Sequence, residues 1–202
     1  MSLIKVGIDA TQLEQWAAEL SARGLRNAIR RAVDQSARAA RKITIGTIER
    51  DIGVSKSKFK DAVPKVRAST AGDLAARWTI GKARIGILNV AGAKVSKTIG
   101  LRASTHRLTG GGSASLNVKN AFVVNSKSGG RFVAFRRGSD RLPIKGVYAE
   151  HPATAMGQAN AAARQTWERE ASREAAMRLP VEVAKQFARE GLGPASPVGS
   201  ED

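Results

Sequence analysis

The sequence predicts an α+β fold: an antiparallel β-sheet or small open barrel in the middle, packed by long N-terminal and C-terminal helices, with extended basic loops. Three observations predict this class. Apolar residues recur at helical spacing in 1–60 and again in 154–190, whereas 61–148 consists of short β-type runs separated by glycine. Within 118–137, two apolar runs flank a glycine-containing turn, the pattern of a hairpin. We therefore expect one domain over 1–190 and a flexible tail over 191–202.

The N-terminal part is predicted to be mainly helical after a short strand near residues 3–8. A first helix is expected over about 12–22, and Gly24 should interrupt it. A longer helix should then run over about 25–50, because its apolar residues fall near one stripe. Gly53 should end this helix.

The middle of the chain should be the β region, and two helices should close the chain. Pro180 is expected in the first turn of the second of these helices, where proline is well tolerated. Gly110, Gly111 and Gly112 predict a flexible loop, and His106 falls in the Ser/Thr/Gly-rich stretch before it. The predicted β-type runs are 63–68, 74–80, 84–90, 94–99 and 116–125, and the predicted closing helices are 154–177 and 180–190.

The hairpin over 118–137 is expected to be apolar on both faces. Successive side chains of a strand point to opposite sides, so Phe132 and Ala134 share one face while Val133 and Phe135 share the other. One face can be covered by the helices, and the other by a neighbouring subunit or by the second helical segment. The pattern therefore favours an assembly. The candidate subunit-contact or packing residues are Phe122, Val124, Phe132, Val133, Phe135, Leu142, Pro143 and Ile144.

Positive charge is concentrated in the β region. The chain has a formal net charge of +17, and no acidic residue lies between Asp73 and Asp140. Such a charge predicts an anionic partner, either DNA phosphates contacted without sequence preference or an acidic protein subunit. The candidate contact residues are Arg77, Lys82, Arg84, Lys94, Lys97, Arg102, Arg107, Arg131, Arg136 and Arg137.

Catalytic chemistry finds little support in the sequence. There is no cysteine and there are two histidines, so we predict no metal site, and no nucleotide-binding motif predicts a cofactor. The adjacent Glu150 and His151 motivate a third hypothesis, in which the protein is an enzyme that acts on phosphoryl groups or on peptidoglycan. We expect that the protein is not an enzyme. No run of residues is apolar and long enough to span a bilayer, so we expect no membrane association.

The order of these features resembles the minor tail protein Z family, the tail completion proteins of long-tailed bacteriophages. The likeness covers roughly residues 20–190. It rests on an Ala/Ser-rich basic helix around 28–42, the basic Gly-rich middle, the segment GRFV…R at 130–137 leading to RLPI at 141–144, and a closing helix with RLP at 178–180. The matching positions Phe132, Val133, Leu142, Pro143 and Ile144 are assigned to packing or subunit contact.

The resemblance implies a virion structural protein that acts in tail maturation and head–tail joining. It would lie at the head-proximal end of the tail or in the neck, near the packaged DNA end, after assembly in the host cytoplasm. The implied partners are other tail or neck proteins, namely the tail terminator, the connector and the tail tube. A homo-oligomeric ring of roughly six copies is expected from the rotational symmetry of a tail. The alternative is a sequence-nonspecific DNA-binding protein that acts through the basic β region.

Overall fold

The chain divides into two compact units that alternate along the sequence. The structure, a computed structural model, describes residues 3–5, 22–107, 112–126, 129–138 and 140–189. Of these, unit 1 contains Leu3 and those in Lys42–Pro64 and Thr79–Trp167, and unit 2 contains 4–5, 22–41, Lys65–Trp78 and 168–189. The single domain over 1–190 stays a prediction. The first helix expected over 12–22, apart from Ala22, and the tail over 191–202 lie outside the described residues.

The described elements confirm the α+β class, with helices before and after the sheets. The two three-stranded sheets are antiparallel, in the orders β3-β4-β5 and β6-β7-β8, and β1 pairs with β2. The described strands form no closed barrel. In chain order the elements are β1 (Leu3–Lys5), α1 (Ala22–Ile52), β2 (Arg77–Thr79), β3 (Lys94–Ser96), β4 (Gly100–Arg107), β5 (Gly112–Val118), β6 (Ala121–Asn125), β7 (Arg131–Arg136), β8 (Ile144–Gly146), α2 (Thr154–Gly157) and α3 (Ala162–Arg189).

Helix α1 is the long helix expected near the N-terminus, with one correction at its start. It begins at Ala22, so Gly24 lies inside the helix and does not interrupt it. One glycine in the first turn costs only about 1 kcal/mol relative to alanine, and the buried Leu25 and Ala28 follow it at once. The helix ends before Gly53, as predicted, and the φ of 65° at Gly53 is one that glycine adopts without strain.

Unit 2 is built on two antiparallel helical segments. Arg31 of α1 pairs with Glu182 of α3, and Gln35 of α1 accepts a hydrogen bond from Arg178, so the two helices run in opposite directions. Apolar side chains at helical spacing form one buried stripe along this part of α1. The buried stripe contains Leu25, Ala28, Ile29, Ala32, Val33, Ala37 and Ala40. In the same unit Arg41 lies 5.7 Å from the centre of the Trp78 ring, and burial lowers the pKa of this guanidinium.

The C-terminal helices break at a different place from the predicted one. The first is the short α2, which ends at Gly157, and α3 then continues through Pro180. Proline in a helix interior removes one backbone hydrogen bond and strains the preceding turn. Contacts with α1 flank Pro180, because Arg178 donates to Gln35 before it and Arg31 donates to Glu182 after it.

Unit 1 contains both three-stranded sheets. Along the chain, the strands differ from the expected ones in four places. The run 84–90 forms a 3₁₀ turn at Ile87–Asn89, where the Asn89 amide donates to the Gly86 carbonyl and competes with strand pairing. In 63–68 only Arg67 forms a β-bridge. His106 and Gly112, which were expected in a loop, lie instead in the paired strands β4 and β5, whose register pairs His106 with Ser113, whereas Gly110 and Gly111 lie outside the described residues. Within 116–125 a turn separates β5 from β6.

The described helices include none that is both long and apolar enough to cross a membrane.

Candidate interaction surfaces in the β region

The predicted hairpin is formed by β6 and β7, and β8 extends it. Val123 lies opposite Val133, and Val124 lies opposite Phe132. The turn contains Gly129, whose φ of 83° suits glycine, and it is closed by a hydrogen bond from Ser126 N to the Gly130 carbonyl at 2.7 Å. Strand β8 then pairs with β7, so the exit segment returns along the edge of the hairpin.

The first face of this sheet is apolar and only half-covered, and we call it the hairpin face. Cross-strand partners point to the same side, which places these residues together. Ala134 at its centre is buried, whereas the four large side chains around it are half-exposed. The hairpin face consists of Phe122, Val124, Phe132, Ala134 and Ile144.

The second face of the sheet is better covered at its centre. Ala121 and Val133 are buried there, and Val133 has no exposed surface. Phe135 lies opposite Ala121 and is half-buried. Both faces of the hairpin therefore carry apolar side chains, as expected, and the less covered of the two is the hairpin face.

The segment that leaves the hairpin carries the most exposed large apolar side chain among the described residues. Leu142 is 70% exposed, and Pro143 beside it is also exposed. Ile144 pairs with Arg136 and joins the hairpin face. A nearby Tyr148 is 47% exposed and packs over Gly146, with its hydroxyl 2.9 Å from the place where a Cβ of residue 146 would lie. Sequence reasoning missed Tyr148, because a single tyrosine outside the periodic runs gives no pattern.

Arg136 holds the hairpin and its exit together. Its guanidinium lies 4.6 Å from the centre of the Phe122 ring, and its Nε donates to the Arg141 carbonyl at 3.2 Å. Cation–π contact and hydrogen bonding both favour this placement of an exposed arginine. Arg136, predicted as a contact for an anionic partner, therefore has a structural contact within the hairpin.

The sheet β3-β4-β5 carries a second surface, which we call the polar sheet face. Lys94 lies directly opposite Arg102, and Arg102 lies opposite Asn117. The other side of this sheet bears the buried Leu101 and Ala103, so the sheet is apolar on one side and polar on the other. Like charges placed directly opposite each other destabilise a strand pair unless an anion compensates them. The polar sheet face consists of the exposed Lys94, Ser96, Arg102, Ser104, Ser115 and Asn117.

The other predicted basic contacts are distributed over several elements. Lys82 and Arg84 are exposed in the loop before the 3₁₀ turn, and Lys97 is exposed in the turn between β3 and β4. Arg131 begins β7 and Arg137 follows it, both exposed. The predicted basic contacts of unit 1 are therefore spread over several loops and strands. The Lys94–Arg102 pair is the one opposition of two cations in the described sheet registers of this unit.

Two of the ten predicted basic contacts differ from the rest. Arg77 belongs to unit 2, and its Nη2 lies 2.5 Å from the Asp73 carboxylate. Arg107 ends β4, and its side chain lies outside the described residues. Arg77 is therefore already paired with an acidic residue of its own unit.

The residues of the enzyme hypothesis have a structural contact. The Nδ1 atom of His151 lies 2.5 Å from the Ala83 carbonyl oxygen, which ties the start of α2 to the loop after β2. His151 therefore uses one ring nitrogen for a contact within the fold. Among the described residues, no group of three or more His, Asp or Glu side chains is arranged to hold a metal ion.

Comparison with protein-family models, with curated proteins and with solved structures gives no match to this chain.

Proposed function

We propose that this chain is a structural subunit of the tail completion type from a long-tailed bacteriophage. It acts in tail maturation and head–tail joining, at the head-proximal end of the tail or in the neck, and it is part of the virion after assembly in the host cytoplasm. Its partners are the tail terminator, the connector and the tail tube, and its role involves no reaction. The proposal rests on the resemblance in the order of sequence features.

The structural observation that supports this proposal is the half-exposed hairpin face, together with the exposed Leu142 in the segment that leads into β8. A contiguous apolar patch with a polar rim marks an interaction site on a soluble protein. Here the register places a basic residue on the same face, because Arg136 lies opposite Ile144 and its guanidinium lies over the Phe122 ring. An apolar partner surface with acidic residues at its edge would match both features. Copies arranged in a closed ring of roughly six would repeat this contact around the tail axis.

The decisive experiment is complementation of a phage that lacks this protein, with Leu142→Ser supplied in trans. Because Leu142 is 70% exposed, the change should leave the free energy of unfolding within about 0.5 kcal/mol of wild type. Ile99→Ser is the matched control, since Ile99 is also a large exposed apolar residue of unit 1, at 49% exposure.

The expected result is that Leu142→Ser lowers the yield of joined particles while free heads and tails accumulate, and that Ile99→Ser does not. Mass spectrometry of purified wild-type particles should detect the protein. Normal head–tail joining with Leu142→Ser would show that this surface has no role in joining. Absence of the protein from intact particles would remove the proposed function itself.

A second candidate function is sequence-nonspecific DNA binding through the polar sheet face. The specific observation in its favour is the direct opposition of Lys94 and Arg102, flanked by Ser and Asn side chains that can donate hydrogen bonds to phosphate oxygens. An anion lying across the two cations would relieve their repulsion. Both functions can coexist in one protein, because a neck subunit lies near the packaged DNA.

Titration of duplex DNA at several salt concentrations tests this second function. Each phosphate contact contributes a slope of roughly −0.9 to the plot of log affinity against log salt. The double variant Lys94→Ala, Arg102→Ala should reduce the slope by about 2. The control Lys56→Ala, Lys58→Ala removes the same charge from an exposed turn of unit 1. Equal slopes for the two double variants would contradict a dedicated DNA surface.

A further inference from the structure

Unit 2 contains a small polar cavity between the segment before β2 and β2 itself. Its volume is about 70 Å³, several times the roughly 10–15 Å³ that one water molecule needs. A single group with four or five heavy atoms would fit such a space. The cavity is lined by Arg67, Ala68, Thr70, Asp73, Ala75 and Arg77.

Two arginines are fixed side by side at this cavity. Arg67 N donates to the Arg77 carbonyl at 2.7 Å, and Arg77 N donates to the Arg67 carbonyl at 3.0 Å. This mutual pairing makes an antiparallel bridge, in which the two side chains point to the same side. Two guanidinium groups on one side of a bridge repel each other unless an anion lies between them.

The acidic residue of the cavity compensates only one of the two arginines. Asp73 Oδ2 pairs with Arg77 Nη2 at 2.5 Å, and Asp73 Oδ1 accepts a hydrogen bond from Ala75 N at 3.1 Å. Both carboxylate oxygens are thus engaged. With two cations and one anion, the lining of the cavity keeps a formal charge of +1.

One lining residue, Arg77, carries a hydrogen-bond donor that has no protein acceptor among the described residues. This donor is the Nε atom, which is buried. Because this atom is closed even to a water molecule, a ligand in the cavity does not reach it, and the donors available to a ligand are those of Thr70 and Arg67. Thr70 brings a hydroxyl group to the same lining, and the exposed Arg67 can reach a ligand from the solvent side.

We propose that this cavity is a binding site for one phosphate group. The planar guanidinium fork of arginine matches the oxygens of a phosphate and can donate two parallel hydrogen bonds to it. Arg67 supplies the uncompensated charge, Thr70 supplies a hydroxyl donor, and Arg77 is held beside them by Asp73. The phosphate group comes either from a free phosphate anion or from a nucleic-acid backbone, whose recognition chemistry is the same.

This site is independent of the proposed function, because all of its lining residues belong to unit 2 and none is part of the hairpin face or the polar sheet face. Normal particle joining with Leu142→Ser would therefore leave the phosphate site unaffected, and absence of phosphate binding would leave the proposed function unaffected.

The test measures binding of inorganic phosphate to the full chain by broadening of the ³¹P resonance at constant ionic strength. A parallel series records the midpoint of thermal unfolding, which a ligand of the folded state raises. The variant Arg67→Gln removes the uncompensated charge, and since Arg67 is exposed the fold should persist. Arg26→Gln is the matched control, an exposed arginine of unit 2 outside the cavity.

The expected result is saturable phosphate binding by wild type and by Arg26→Gln, and an affinity at least about tenfold lower in Arg67→Gln. The same variants are then titrated with a short DNA duplex. A greater loss of duplex affinity in Arg67→Gln than in Arg26→Gln would identify the nucleic-acid backbone as the source of the bound phosphate group. Absence of saturable phosphate binding by wild type would overturn the proposal. So would equal effects of the two variants, or displacement of phosphate by an equimolar amount of acetate.

Discussion

Arg31 and Glu182 lie 151 positions apart in the chain, and Arg31 Nε donates to Glu182 Oε2 at 2.8 Å. The carboxylate is nearly buried, whereas the guanidinium keeps contact with solvent. Arg31 also donates to Gln186 at 3.2 Å, and Lys185 donates to Glu182 at 3.1 Å. One carboxylate of α3 is therefore held by a cation from α1 and by another from its own helix.

This arrangement predicts that unit 2 loses stability in acid. The hydrogen bonds from Arg31 and then Lys185 lower the pKa of Glu182 below the ordinary 4.5, against the opposing effect of burial. A carboxylate with a lowered pKa contributes stability above its unfolded pKa, and the contribution is lost as the pH falls through the folded pKa. Urea unfolding between pH 7 and pH 3 should show a steeper loss below about pH 4.5 for wild type than for Glu182→Gln.

At pH 7, Glu182→Gln should cost about 1–3 kcal/mol, because a charged hydrogen-bond partner is removed from a buried position. Glu168→Gln, at an exposed position of the same helix, is the charge-matched control and should change the pH profile less. If the two variants have the same pH profile, the Arg31–Glu182 pair does not govern the acid response.

The first residue of β4, Gly100, predicts a second stability effect. Its φ is 78°, and a Cβ there would collide with the backbone of Val118 and Lys119. Gly100→Ala should therefore destabilise the fold by more than the roughly 1–3 kcal/mol of a strained φ alone. Gly92→Ala separates the two causes, because Gly92 has a φ of 77° and open space around its Cα. Equal free energies of unfolding for the two variants would contradict the backbone collision.

The sequence predicted the parts of the fold that periodic apolar patterns encode. The apolar stripe that contains Ile29 and Val33 predicted helix α1, and the apolar runs around Gly129 and Gly130 predicted the hairpin. In both cases the buried face repeats with the period of the element, so a local pattern determines the structure.

The elements that sequence reasoning missed lack such a pattern. Strand β4 carries Arg102 and Ser104 among small polar residues, and its pairing with β5 depends on partners that only the fold brings together. The two arginines of the unit 2 cavity were not found together for the same reason: Arg67 and Arg77 are ten positions apart, and no short-range rule places them on one bridge. Pro180 misled the helix assignment, because contacts on both sides of it outweigh the loss of one hydrogen bond.

The contacts of Arg136 predict that it orders the exit from the hairpin. Arg136→Ala removes the cation–π contact with Phe122 and the hydrogen bond to the Arg141 carbonyl, and should cost about 1 kcal/mol. Amide hydrogen exchange of peptides covering 137–145 should become faster in this variant. Arg137→Ala removes the same charge one residue later and should leave the exchange unchanged. Faster exchange in both variants to the same extent would show that charge, and not these contacts, orders the exit.

The effect of replacing Pro180 on the free energy of unfolding depends on whether α3 is continuous through this residue. In the interior of α3 a proline is about 3 kcal/mol less favourable than alanine, so Pro180→Ala should raise the free energy of unfolding by about 1–3 kcal/mol. If a separate helix instead began at Pro180, the proline would be favourable in its first turn and the same substitution would not stabilise. Urea unfolding of the full chain measures the difference, and Val181→Ala, at the next exposed position, reports the small effect of helix propensity alone. A lower free energy of unfolding for Pro180→Ala than for wild type would therefore contradict a continuous α3.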